Sequence, residues 1–223
     1  MRVAGLTWLP IAVALGLLAG PTPALAQEPP PTADASSDQA GPTPATAPRI
    51  DEAFGHAWLG AADGDVTLVV FADYACPACR DAQPVIDQLL AQDSRLKVVY
   101  RLLDNDQGGR AAALTSLAVA AQGADWARFH HALDASGAVG PQAIATALAA
   151  SGADPAKLPQ FGNEDDPGTQ NLAEELSRND TLIAQRKGSA IPAWLIGDGP
   201  AQKGFDLPRL QAAIAKARAG KAH

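Results

Sequence analysis

Cys76 and Cys79 are the only cysteines in a chain of 223 residues, and two residues separate them. Thiols at that spacing can form and break a disulfide with each other, or supply half of a tetrahedral metal site. The flanking segments favour the first chemistry. Upstream, Val66-Thr67-Leu68-Val69-Val70-Phe71 is a β-branched apolar run of strand length; downstream, Val85, Ile86, Leu89 and Leu90 recur at helical spacing. The pair therefore stands where a strand turns into a helix. Unpaired backbone N–H groups and the positive end of the helix dipole stabilise a thiolate there, and Cys-x-x-Cys thiols in such settings ionise at about 3.5–7.5 instead of about 8.5. A zinc site would need two more ligands, and the candidates His56, His130, His131 and His223 have no ligand spacing. As a passive staple the bridge would close so short a loop that little chain entropy is removed. Redox chemistry is the expected role.

The run Phe71-Ala72-Asp73-Tyr74-Ala75-Cys76-Pro77-Ala78-Cys79 resembles the active-site signature of the DsbA-like branch of the thioredoxin superfamily, the exported thiol–disulfide oxidoreductases. The resemblance implies that Cys76 is the exposed attacking cysteine and Cys79 the buried resolving one, with Asp73, Tyr74, Pro77 and Ala78 completing the motif. It also implies an α/β architecture, a thioredoxin-like fold with an inserted helical subdomain. One position departs from the pattern. Many relatives carry a glutamate six residues before the first cysteine, where it serves proton movement at the buried thiol; Val70 stands there in this chain. Proton transfer then relies on water or on another acid such as Asp73.

The elements that must position this motif can be taken in order. Met1-Arg2, the apolar stretch from Val3 to Gly20 and the small residues Ala24-Leu25-Ala26 read as a signal peptide over residues 1–26, cleaved before Gln27. An uncleaved membrane anchor is the alternative. Export to an oxidising compartment, the bacterial periplasm, suits a lone cysteine pair that cycles as a disulfide. Residues 27–48 hold six prolines among Ala, Thr, Ser and Asp, with no apolar periodicity, and read as a disordered linker. That composition leaves no dimerisation module of the kind a V-shaped isomerase needs, so a monomer is expected. Residues 49–223 have the size of one domain. The net charge of −7, one unit more negative once Arg2 is removed, comes without a basic cluster and disfavours nucleic acid and anionic membrane surfaces.

Within the domain, Ile50, Phe54, Trp58 and Leu59 suit a short helix over 50–60, with His56 as a surface or packing residue. Asp63-Gly64 is a turn signal. Pro77 fits the first helical turn, Pro84 should kink the helix, and Asp93-Ser94 should end it. Leu96 to Leu102 reads as a second strand, completing a βαβ unit that crosses over right-handed. From Asp104 to about Arg186 the periodicity is helical, with helices expected over 109–122, 125–135, 141–150 and 169–186. Trp126, Phe129 and Leu133 share one face and should be core. His130 and His131 read as packing or surface residues, and Glu164-Asp165-Asp166 as a solvated acidic loop. Asp206 through Gly220 reads as a C-terminal helix.

Ile191-Pro192 precedes an apolar strand and a Gly-Asp-Gly-Pro turn. Statistics alone make this bond trans, since about 5–6% of X-Pro bonds in folded proteins are cis. The resemblance implies the opposite: a cis-proline facing the cysteine pair, with Ile191 and Pro192 binding an extended substrate backbone. It further implies a disulfide donor (oxidase) to unfolded or thiol-containing secreted proteins, reoxidised by a quinone-linked membrane redox partner, and needing no cofactor beyond the Cys76–Cys79 disulfide. The motif leaves the direction open, because a periplasmic disulfide reductase or isomerase carries the same pair. From another class, a thiol-based copper- or zinc-binding protein of thioredoxin fold also stays open.

Overall fold

The structure, a computed structural model, describes residues 49–104, 108–163, 165–188 and 190–221. The expected signal peptide over 1–26, the linker over 27–48, and Glu164, Ser189 and His223 lie outside the described residues. Five strands, β1 (Trp58–Gly60), β2 (Val66–Ala72), β3 (Leu96–Leu102), β4 (Ala193–Ile196) and β5 (Gln202–Lys203), form one sheet in the order β1-β3-β2-β4-β5. β2 and β3 run parallel, joined through helix α1 (Pro77–Gln92), while β1 and β4 flank them antiparallel. The register sets Val69 beside Val99 on one side and beside Leu195 on the other. Helices cover both faces of β2 and β3, which explains why these strands read as nearly unbroken apolar runs.

Alternation along β2 decides which side chains reach the active-site helix. Leu68, Val70 and Ala72 pack with Ile86 and Leu89 of α1, whereas Val69 and Phe71 point the other way, toward Ile50 and Ile183. The insertion between β3 and β4 is helical, as expected: α2 (Arg110–Gln122), α3 (Trp126–Ser136), α4 (Pro141–Ser151) and α5 (Pro167–Gln185). Trp126, Phe129 and Leu133 are buried core. The acidic loop is more than solvated charge, because the Asp166 carboxylate accepts the Thr169 N–H at 2.8 Å and caps α5. The final helix, α6 (Leu207–Lys221), is held at its end by Arg218, whose guanidinium reaches both Asp65 and Asp93. Among the described residues no helix is long and apolar enough to cross a membrane.

The helix expected over 50–60 is not present. Trp58–Gly60 pairs with β3 instead, and Gly55 (φ 53°) and Gly60 (φ 85°) take a left-handed backbone that stops helical winding on both sides of the strand. Ile50 and Leu59 are buried nonetheless, in different core clusters. His56 is exposed, edge-on to Trp58 at 6.5 Å. The segment preceding β1 is anchored by Arg101 of β3, a charged side chain only 2% exposed. Its guanidinium donates to Glu175 Oε1 at 2.7 Å and to the backbone carbonyls of Arg49, Ile50 and Glu52. Burial lowers the Arg101 pKa, and the Glu175 charge opposes that shift.

Candidate active site

β2 ends at Ala72, and four residues later the chain enters α1 with Cys76 as the N-cap. Pro77 occupies the first turn, where its missing N–H costs nothing, and the helix continues through Pro84 to Gln92. The Cys79 N–H donates to Cys76 Sγ at 3.3 Å as well as to the Cys76 carbonyl at 3.1 Å, so the first sulfur lies against the backbone donors of the helix end. The turn is braced on two sides. The Asp73 carboxylate accepts the Ala75 N–H at 2.7 Å, and the Arg80 guanidinium donates to the Tyr74 carbonyl at 2.8 Å. Gly109 approaches Asp73 so closely that a Cβ there would stand 2.1 Å from Asp73 Oδ1.

The two cysteines are free thiols, and both are 8% exposed. The expected contrast, with Cys76 exposed and Cys79 buried, is therefore corrected: capping turns the Cys76 sulfur back onto α1 and shields it as well. The pair differs in surroundings instead. Cys79 lines an internal cavity that Cys76 does not reach, together with Val70, Asp73, Tyr100, Asp134 and Pro192. Burial, then the hydrogen bond to Cys76, pushes the Cys79 thiol far above its ordinary range, against a smaller opposing effect from the Asp73 backbone. Cys79 is thus held as a thiol. The Ile191-Pro192 bond is cis, as the resemblance implied, and leads into β4 with Pro192 facing the cavity that Cys79 lines. Ile191 is half-buried, while Pro77 and Ala78 are exposed at the start of α1.

Behind the motif lies a buried polar chain that the sequence reading did not identify. Tyr74 Oη is 2.9 Å from Ser116 Oγ and 3.0 Å from His130 Nδ1; His130 Nε2 is 3.0 Å from Gln83 Oε1, which also accepts from Tyr100 at 2.6 Å. The proton positions follow from donor and acceptor capacity. Gln83 orients its amide by donating through Nε2 to Asp87, so its Oε1 only accepts and His130 Nε2 must carry the proton. His130 Nδ1 then accepts from Tyr74, and Ser116 donates to Tyr74 while accepting from Trp126 Nε1 at 2.8 Å. Trp126 also stacks on His130, with centroids 4.8 Å apart. His130 is consequently a packing residue, as expected, but one in a fixed neutral tautomer.

Burial, with His131 as a smaller cause, lowers the His130 pKa to about 3. One turn on, Asp134 Oδ2 lies 4.0 Å from His130 Nε2, and burial raises its pKa to about 6. No pH charges both, so the contact is not an ion pair. The sequence did carry one signal for this pair: Trp126, His130 and Asp134 recur every four residues, a polar interruption on an otherwise apolar stripe.

A thiol pair at the N-terminus of a helix, reached from the central strand of a five-stranded sheet and faced by a cis-proline, can exchange disulfides through the first sulfur. Fold and site together define a thiol–disulfide oxidoreductase of thioredoxin fold. Comparison with known proteins agrees: a family profile described as Thioredoxin matches residues 53–187, and the chain belongs to the thioredoxin family. A thioredoxin-like oxidoreductase from Silicibacter pomeroyi DSS-3 shares 27% identity at a TM-score of 0.62, over 73% of this chain and 91% of that one. A periplasmic thioredoxin-like protein from Salmonella enterica serovar Typhimurium shares 21% identity at 0.62, over 76% and 94%. The thiol-disulfide exchange protein alpha-DsbA2 from Wolbachia pipientis shares 22% at 0.59, over 72% and 86%. No curated protein matches the chain.

Proposed function

We infer that the protein is an exported disulfide donor, passing the Cys76–Cys79 disulfide to thiol-containing secreted proteins. The observation that carries this reading is the unequal setting of the two sulfurs: Cys76 accepts an N–H at the helix end, whereas Cys79 is held as a buried thiol. The N–H donated to Cys76 favours the reduced pair, and a stabilised reduced pair makes its disulfide a strong oxidant; the raised Cys79 pKa keeps the proton on the second sulfur between exchanges.

In the reaction, a substrate thiolate attacks Cys76 Sγ, the Cys76–Cys79 bond breaks, and its electron pair leaves on Cys79, which takes up a proton. A second substrate thiolate then attacks the substrate sulfur of the mixed disulfide, and Cys76 departs as a thiolate at the helix end. The substrate is oxidised by two electrons and the enzyme is reduced by two. Ile191 and Pro192 line the approach and hold the substrate backbone. Asp73 and Tyr74 support the turn from behind, and Pro77 and Ala78 shape its outer surface. The redox-active disulfide is the only cofactor the reaction needs.

A membrane partner, quinone-linked, restores the disulfide, and clients are unfolded chains bearing thiols. The protein acts as a periplasmic monomer, delivered by the signal peptide over 1–26, with the linker over 27–48 preceding the domain in the mature chain. The periplasmic Salmonella neighbour supports this address. The test is oxidative refolding of a reduced, unfolded disulfide protein by the oxidised full chain. Stoichiometric disulfide transfer, abolished in Cys76→Ser, is expected. Turnover only in the reverse direction, reducing client disulfides, would overturn the donor role.

A further inference from the structure

Each cycle moves a proton on or off Cys79, whose thiol lies in a largely enclosed cavity with free volume of about 10 Å³, on the scale of one water molecule. Few of the cavity's walls can exchange that proton. Val70, Ala72, Ala82, Ile86, Leu102 and Pro192 carry no titratable group. Both ring nitrogens of His130 are engaged, Nδ1 with Tyr74 and Nε2 with Gln83. Burial holds the Tyr74 and Tyr100 hydroxyls neutral. Two carboxyls are left, Asp73 and Asp134. Asp73 Oδ1 accepts the Ala75 N–H and lies against Gly109, so that oxygen holds the turn in shape, and the Asp73 charge helps to raise the Cys79 pKa. Asp134 enters from α3, a different element, with a side chain 13% exposed.

We propose that Asp134 exchanges the Cys79 proton through one water in the shared cavity. The inference rests on the disulfide-exchange reading above. When the Cys76–Cys79 bond breaks, protonated Asp134 gives its proton to that water, the water gives one to the Cys79 thiolate, and an aspartate and a thiol result. In the reverse step Asp134 carboxylate takes the proton from the Cys79 thiol by the same route, and the Cys79 thiolate attacks Cys76 Sγ and expels the bound partner as a thiolate. Burial sets the Asp134 pKa near 6, where both forms are populated at working pH. The groups facing it are Arg80 and Asp87 from α1, His130 and His131 from its own helix, and the Tyr74 and Tyr100 hydroxyls. Arg80 and His131 favour its ionised form, and Asp87 opposes it.

The experiment loads Cys76 of the full chain with glutathione and follows glutathione release by Cys79 attack from pH 4.5 to 8. The wild type should lose rate tenfold per pH unit below about 6 and level off above about 7. Asp134→Asn should lose the plateau, rise tenfold per unit across the range, and run about a hundredfold slower at pH 7. Asp134→Glu, which keeps a carboxyl, and Asp73→Asn should both keep a break in the profile. An unbroken slope in the wild type overturns the proposal without any variant, and so does a plateau that survives in Asp134→Asn. A break lost in Asp73→Asn but kept in Asp134→Asn assigns the proton to Asp73 and overturns it too. Failure of the wild type to release glutathione at any pH overturns the exchange reading itself, and the proton route with it.

Discussion

Replacing Asp134 with asparagine should change how stability depends on pH, with a size that follows from two buried groups of opposite sign. Asp134 has its folded pKa raised from 3.8 to about 6, so the fold binds its proton more tightly than the unfolded chain does. Its contribution to stability is full below 3.8 and is lost as pH rises through 6; the interval converts to about 3 kcal/mol. His130 has its folded pKa lowered from 6.5 to about 3, so the unfolded chain binds that proton more tightly. Its neutral form contributes fully above 6.5, and the contribution is lost as pH falls toward 3. Between about pH 4 and 6 the two slopes have opposite signs and similar size, so in the wild type they nearly cancel. Asp134→Asn removes one of them. The variant should lose about 1.4 kcal/mol per pH unit on acidification from 6 to 4, and from pH 3.5 to 7 its stability should gain about 3 kcal/mol relative to wild type. Urea denaturation of both full chains at pH 3.5, 4, 5, 6 and 7 measures this. Asp65 and Asp93, both lowered by their hydrogen bonds with Arg218, affect the two proteins alike and drop out of the difference. A variant whose profile runs parallel to wild type would refute the burial argument for Asp134.

Three other outcomes are expected. Arg101→Met should destabilise the domain by about 3 kcal/mol in chemical denaturation, because it leaves the buried Glu175 carboxylate with Arg178 as its remaining cation and releases three backbone carbonyls. Loss of less than about 1 kcal/mol would contradict that role. Tyr74→Phe should cost about 1–3 kcal/mol by leaving Ser116 and His130 Nδ1 unsatisfied, and imidazole NMR should show His130 titrating at higher pH than in wild type. Arg218→Ala should cost about 1 kcal/mol or less, and less still in high salt, since its contacts to Asp65 and Asp93 lie at the surface; a salt-independent melting temperature difference would argue against this account.

Much of the fold was legible because its signals are local. β2 and β3 are short β-branched runs, and the helices of the insertion carry their own boundaries, with Asp125 capping α3 and Pro141 opening α4. The first segment misled because Ile50, Phe54 and Trp58 satisfy helical spacing while the chain actually turns at Gly55 and pairs at Trp58. Spacing records which residues are buried, but two different backbones can bury the same residues. The cysteine motif and the cis-proline were recognisable through the resemblance to a known family, which implied a pairing that folding makes across the insertion. The polar chain was not recognisable in that way. Tyr74 meets His130 56 residues away, and Arg101 meets Glu175 74 residues away, so nothing near either residue in sequence announces its partner. Asp134 escaped for the same reason: it shares a cavity with Cys79 only in the folded chain, where His130 and His131 of α3 meet Gln83 and Asp87 of α1.

The central claim, donation of the disulfide, is tested most directly by the equilibrium reduction potential of the Cys76–Cys79 pair in the full chain against a glutathione buffer. The account expects an oxidising couple, above about −180 mV. A potential near about −270 mV, where a dithiol acts as a reductant, would contradict it.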